Sequence, residues 1–122
     1  MRQVLALSNE KMLFEGCEAM LTKNNDIEIK TYADPLCIIE NLLTLQSELI
    51  VIDVDFTAET TTRIIHIIRL INKRIPIVLI LSKENMPICL AVFSRGAISY
   101  LTKPIAPQNL CDLISSTLKI NH

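Results

Sequence analysis

The sequence predicts an α/β fold: a doubly wound sheet of five parallel strands with helices on both faces. Three observations carry this. Short apolar runs alternate five times with segments of helical period. The inner runs are apolar almost throughout, as strands covered on both faces must be. The chain has 122 residues, half of them hydrophobic, enough for one domain with a sizeable core. Strands that alternate with helices pair in parallel, because each right-handed crossover lays its helix back on the sheet.

The first strand is predicted at residues 4–7 and a helix at 10–23, with Leu13, Cys17, Met20 and Leu21 on one face. Ile27, Glu28, Ile29 and Lys30 alternate with period two, as a strand near a sheet edge does. Asp34 and Pro35 then open a helix, because the Asp side chain accepts an orphan N–H and Pro has none to lose. Leu36, Ile39, Leu42 and Leu43 continue it. Residues 49–54 are apolar except for Asp53, the pattern of a central strand. From about 58 to 74 a helix is predicted, with Ile64, Ile67, Ile68 and Ile71 as its core stripe and Arg63, His66, Arg69 and Lys73 on a solvated face. The fourth strand spans 76–81 and the fourth helix 87–95, ended by Gly96. A short strand at 98–101 and a helix at 107–118 complete the pattern, the latter turning Leu110, Leu113, Ile114 and Leu118 inward.

Twelve basic and thirteen acidic residues leave a net charge of −1, which excludes a global electrostatic grip on nucleic acid. No apolar run approaches the roughly 20 residues of a membrane span, and residues 4–7 are too short for the core of a signal peptide. A cytoplasmic location is expected. The four cysteines, at 17, 37, 89 and 111, form no C-x-x-C pair and fall in helices, so they read as small reduced hydrophobes.

Doubly wound sheets gather polar function at the carboxyl ends of their strands. Those ends carry Ser8 and Asn9, then Asp53 with Asp55 two residues on, then Leu81 and Ser82, then Lys103 and Pro104. Asp53 interrupts an apolar strand and needs a counter-charge, since isolated buried charge is very costly; Lys103 is the best-placed cation. The pair reads either as structural or as a phosphoryl acceptor with its counter-charge. A flavodoxin-like cofactor binder would share the sheet. However, residues 8–12 (Ser-Asn-Glu-Lys-Met) lack the small-residue phosphate cradle such a protein needs after its first strand, and no nucleophile–His–acid set is evident.

Two runs, Leu-Ile-Val-Ile-Asp at 49–53 and Gly-Ala-Ile-Ser-Tyr-Leu-Thr-Lys-Pro at 96–104, resemble the receiver domain of two-component response regulators. The resemblance spans nearly the whole chain, taken as one receiver-like domain at 1–122. It implies the flavodoxin-like strand order 2-1-3-4-5, Asp53 at the phosphorylation position, Lys103 at the family's lysine position, Tyr100 at the aromatic switch position and a cis Lys103–Pro104 bond. Family members carry two acidic residues where this chain has Ser8 and Asn9, and those acids help hold Mg²⁺. A hydroxyl and a carboxamide supply dipoles without charge, which a hard cation costly to dehydrate does not favour. The hydroxyl residue expected at the end of the fourth strand is Leu81, and Ser82 falls one residue late. Thr57 and Thr61 stand where the family has Pro and Gly. The resemblance therefore implies an atypical receiver without a cofactor. Asp53 and Asp55 together are the sole candidate metal ligands, and Asp55 otherwise reads as a solvated loop aspartate. A conventional receiver, phosphorylated on Asp53 with Mg²⁺ by a histidine kinase and controlling a transcriptional output, is the alternative.

The fourth helix carries no charge between Glu84 and Arg95 and is apolar on more than one face. Such a helix calls for a cover. In receivers the face of the fourth helix, fifth strand and fifth helix serves dimerisation or output. Ile88, Leu90 and Phe93 are thus expected to meet a second copy or an attached effector domain.

Overall fold

The computed structural model describes residues 2–44, 47–96 and 98–119. Ala97, within the 96–104 run, and the terminal residues 120–122 lie outside the described residues. Five strands, β1 (Arg2–Leu7), β2 (Ile27–Tyr32), β3 (Ser47–Asp53), β4 (Ile77–Leu81) and β5 (Ile98–Thr102), form one parallel sheet in the order β2-β1-β3-β4-β5. The helices are α1 (Lys11–Asn25), α2 (Pro35–Thr44), α3 (Val54–Thr57), α4 (Thr61–Ile71), α5 (Met86–Val92) and α6 (Pro107–Thr117). The single turn α3 shifts the numbering, so the predicted third, fourth and fifth helices are α4, α5 and α6.

The near-continuous apolar runs behave as sequence patterning demands. Leu49 to Ile52 and Ile77 to Leu81 are wholly buried, because helices cover both faces of the central strands. Alternate residues supply two cores. Leu5, Leu7, Ile50, Ile52, Ile77, Leu79 and Leu81 meet Ile64, Ile65 and Ile68 of α4 and Cys89 and Val92 of α5. Val4, Ala6, Leu49, Val51, Val78 and Ile80 meet Phe14 and Cys17 of α1 and Leu110, Cys111 and Ile114 of α6. Burial, reinforced by the neighbouring Cys111, pushes the Cys17 thiol up to about 12. The four cysteines are free.

Local signals act where expected. Asp34 Oδ1 accepts the Leu36 N–H at 2.9 Å, and Gly96 ends the 3₁₀ turn Phe93–Arg95 after α5 with φ +78°, open to glycine at little cost.

Three expectations are corrected. The helix predicted from 58 begins at Thr61, because α3 intervenes and Thr57 and Thr61 stitch the junction. The Thr57 hydroxyl meets that of Thr61 at 2.8 Å, and the Thr61 hydroxyl donates to the Thr57 carbonyl at 3.0 Å. Arg69 does not lie on a solvated face. It is only 8% exposed, and its guanidinium donates to the carbonyls of Arg95 and Gly96 at 2.7 Å each, of Ile75 at 2.8 Å and of Asn72 at 3.3 Å. The buried stripe of α4 is Thr61, Ile64, Ile65 and Ile68, and Ile67 is exposed.

Candidate functional site

The carboxyl ends of β1, β3, β4 and β5 meet at the point where strand order reverses, between β1 and β3. Asp53 ends β3 and is 1% exposed. Its Oδ1 accepts from Lys103 Nζ at 3.0 Å and its Oδ2 from the buried Ser8 hydroxyl at 2.9 Å. Both carboxylate oxygens are therefore engaged by the protein itself. The Glu10 N–H in turn donates to Ser8 Oγ at 3.0 Å, which fixes that hydroxyl. Asn9 is exposed on the β1–α1 loop.

Lys103 follows β5 across a cis bond to Pro104, and its N–H donates to the Leu81 carbonyl at 2.8 Å. Its ammonium meets three carboxylates: Asp53 at 3.0 Å, Asp55 Oδ2 at 3.2 Å and Glu10 Oε1 at 3.2 Å. Burial opposes the charge on Lys103, but Asp53, Asp55 and Glu10 outweigh it and hold the ammonium above the ordinary lysine range. Among the described residues no three His, Cys, Asp or Glu side chains are grouped so as to hold a metal ion. Lys103 itself stands where the three carboxylates converge.

Asp55 is not a solvated loop aspartate. It sits in the single turn α3, and its Oδ1 accepts the Ser82 N–H at 3.0 Å and Asn85 Nδ2 at 2.6 Å. Its Oδ2 accepts the Ser82 hydroxyl at 2.6 Å. Burial raises the carboxyl, yet the Ser82 hydroxyl and N–H, the Asn85 amide and Lys103 outweigh it and hold the group well below the usual carboxylate range. A depressed carboxyl stabilises the fold above its unfolded value, about 3.9, and that contribution is lost as the pH falls towards the folded value. Asp55→Asn is therefore expected to flatten the acid limb of a unfolding-midpoint profile between about pH 5 and pH 2. Identical slopes for parent and variant would contradict it.

Leu81 is fully buried in the core beneath α4 and α5, and Ser82 follows β4 without any bulge in its register. The Ser82 hydroxyl reaches Asp55 rather than Asp53. Tyr100 is exposed on β5 and packs on Phe93 with ring centroids 5.7 Å apart. Leu90 is 60% exposed, Phe93 is exposed and Ile88 half-buried. A groove of about 490 Å³ opens beside the crevice, lined by Glu10, Leu13, Lys103, Pro104 and Ile105. Sequence pattern pairs Asp53 with Lys103 but does not bring Glu10 and Asn85 to the site. Their convergence depends on loop paths, and the one local signal is an acid directly after Ser8 and Asn9.

A doubly wound sheet with an acidic crevice at its switch point, closed by a lysine ahead of a cis proline, defines a receiver-type signalling domain. The sequence profile of the response regulator receiver domain matches residues 4–115, and the chain belongs to that family, the receivers of two-component signalling. No curated relative matches at the level of sequence. Solved structures with the same fold include a response regulator receiver protein from Burkholderia phymatum (16% identity, 99% of this chain and 98% of that chain, TM-score 0.74). The chemotaxis response regulator CheY4 of Vibrio cholerae is similar too (19% identity, 96% and 98%, TM-score 0.77). So is a two-component response regulator from Clostridium difficile (18% identity, 98% and 97%, TM-score 0.79). No helix among the described residues is long and apolar enough to cross a membrane.

Proposed function

We propose that this receiver acts as a cytoplasmic, non-enzymatic protein–protein interaction module whose Mg²⁺-dependent phosphorylation chemistry is lost or greatly weakened. The supporting observation is that both oxygens of Asp53 are taken, by Ser8 and by Lys103. Three carboxylates, Asp53, Asp55 and Glu10, converge here, but Lys103 stands at their meeting point and Mg²⁺ would have to displace it. Ser8 and Asn9 replace anionic ligands, and the oxygens of Asp55 are spent on Ser82, Asn85 and Lys103. The ammonium of Lys103 neutralises the crevice in place of a metal. With acetyl phosphate or beryllofluoride and Mg²⁺, the protein is expected to keep its mass and spectra. A stoichiometric adduct on Asp53 would overturn this reading.

Output then runs through the α5–β5–α6 face, by homodimerisation or by docking an effector domain, without direct contact to nucleic acid. The exposed Leu90, Phe93 and Tyr100 support it, since apolar side chains clustered on one face call for a cover. Light scattering over a concentration series is expected to find a dimer that Leu90→Glu dissociates. A parent that stays monomeric at high concentration would remove the homodimer.

One observation favours a second reading. Asp53 lies at the family's phosphoacceptor position, 3.0 Å from the family's lysine. A histidine kinase able to displace Ser8 would then phosphorylate it and control a transcriptional output.

A further inference from the structure

The segment between β4 and α5 is a 3₁₀ turn, Lys83–Asn85, that buries none of its residues. Apolar packing therefore does not fix its position. Polar contacts do so, and Asp55 supplies them: its carboxylate holds the Ser82 N–H, the Ser82 hydroxyl and the Asn85 amide, which brackets the turn at both ends. Asn85 immediately precedes α5, whose seven residues bury only Cys89 and Val92. The far end of α5 is held differently. The Arg69 guanidinium, an always-charged donor buried under the loop, grips the carbonyls of Arg95 and Gly96. Thus α5 is suspended between a permanent anchor at its C-terminal end and a clasp at its N-terminal end.

That clasp is shared with the crevice. Asp55 Oδ2, which accepts the Ser82 hydroxyl, also faces Lys103, and Lys103 divides itself between Asp55, Asp53 and Glu10. The residue that would stand between crevice and α5 by strand position, Leu81, is apolar and buried, and has nothing with which to sense charge. We propose that Asp55 is the positioning residue that couples the crevice to α5: whatever draws Lys103 away changes the hold on Ser82 and Asn85, and α5 moves about its Arg69 anchor. The proposal builds on α5 as the output face. Its test compares the turn with the central strands at matched oligomeric state, so it stands or falls apart from dimerisation and phosphorylation.

Hydrogen–deuterium exchange followed by mass spectrometry is the measurement. Asp55→Asn is expected to speed exchange at residues 82–92 about tenfold more than at β1 and β3. Ser82→Ala with Asn85→Ala, which opens the clasp from the other side, is expected to reproduce the effect if Asp55→Asn folds poorly. Lys103→Met leaves Asp53 and Asp55 to repel each other and is expected to loosen the same segment in the parent. In the Asp55→Asn background it is expected to add nothing there beyond its effect on β1 and β3, the non-additivity that direct coupling requires. Unchanged exchange at 82–92, equal acceleration across the whole domain, or additive effects of the two substitutions would each overturn the proposal.

Discussion

Lys103→Met is expected to destabilise the domain by about 3–5 kcal/mol, the cost of stranding a buried charge whose partner has been removed. Asp53 is 1% exposed and retains only the Ser8 hydroxyl once the ammonium is gone. Asp55 loses its cation in the same step, and two carboxylates then face each other across the crevice. The melting temperature is expected to fall by roughly 10 °C or more for a domain of this size. Adding Asp53→Asn removes the stranded charge and is expected to restore part of the loss, so the two substitutions couple in a double-mutant cycle. A melting temperature unchanged by Lys103→Met would show that the ammonium does not support the crevice. The stabilising charge on Lys103 is fully present below the ordinary lysine range, about 10.4, and is lost only as the pH rises through its raised folded value. Between neutrality and mild alkali, the gap in stability between parent and Lys103→Met is therefore expected to stay constant.

Arg69→Ala is expected to cost about 3 kcal/mol in urea unfolding, since hydrogen bonds from a charged donor are the strong ones and their acceptors are left unpaired in the interior. Four carbonyls from three places in the chain converge on this one guanidinium. Burial lowers the Arg69 pKa from its ordinary value, yet arginine stays charged at any pH the fold survives. Arg69→Lys keeps the charge but loses the planar fork, so it is expected to recover less than half of the loss. Full rescue by lysine would mean that charge, not geometry, holds the loop.

Arg69 also shows where sequence reading stops. Its spacing from His66 and Lys73 places it among polar neighbours. Its spacing of four from Ile65 and eight from Thr61 places it equally on the buried stripe. Residue type tipped the reading outward, although carbonyls awaiting a donor at Arg95 and Gly96 belong to a loop that periodicity does not locate. The sheet was legible because buried parallel strands write their burial into consecutive residues, as at 49–52 and 77–81. The Asp53–Lys103 pair was legible because a carboxylate in an apolar strand demands a counter-charge. Asp55 was misread. Its partners Ser82 and Asn85 sit 27 and 30 residues away, and no local pattern announces a contact at that separation.

The position of β1 bears on how the chain assembles. It lies between β2 and β3, and its register with β3 joins Val4 to Leu49. A nascent chain that has emerged only through α2 holds one neighbour for β1 and leaves the other side of that strand open. Loop-closure entropy across some forty residues must be met before the second pairing gives any return. Helix formation is fast by comparison, and fragments ending before β3 are the ones that a chaperone would need to shield.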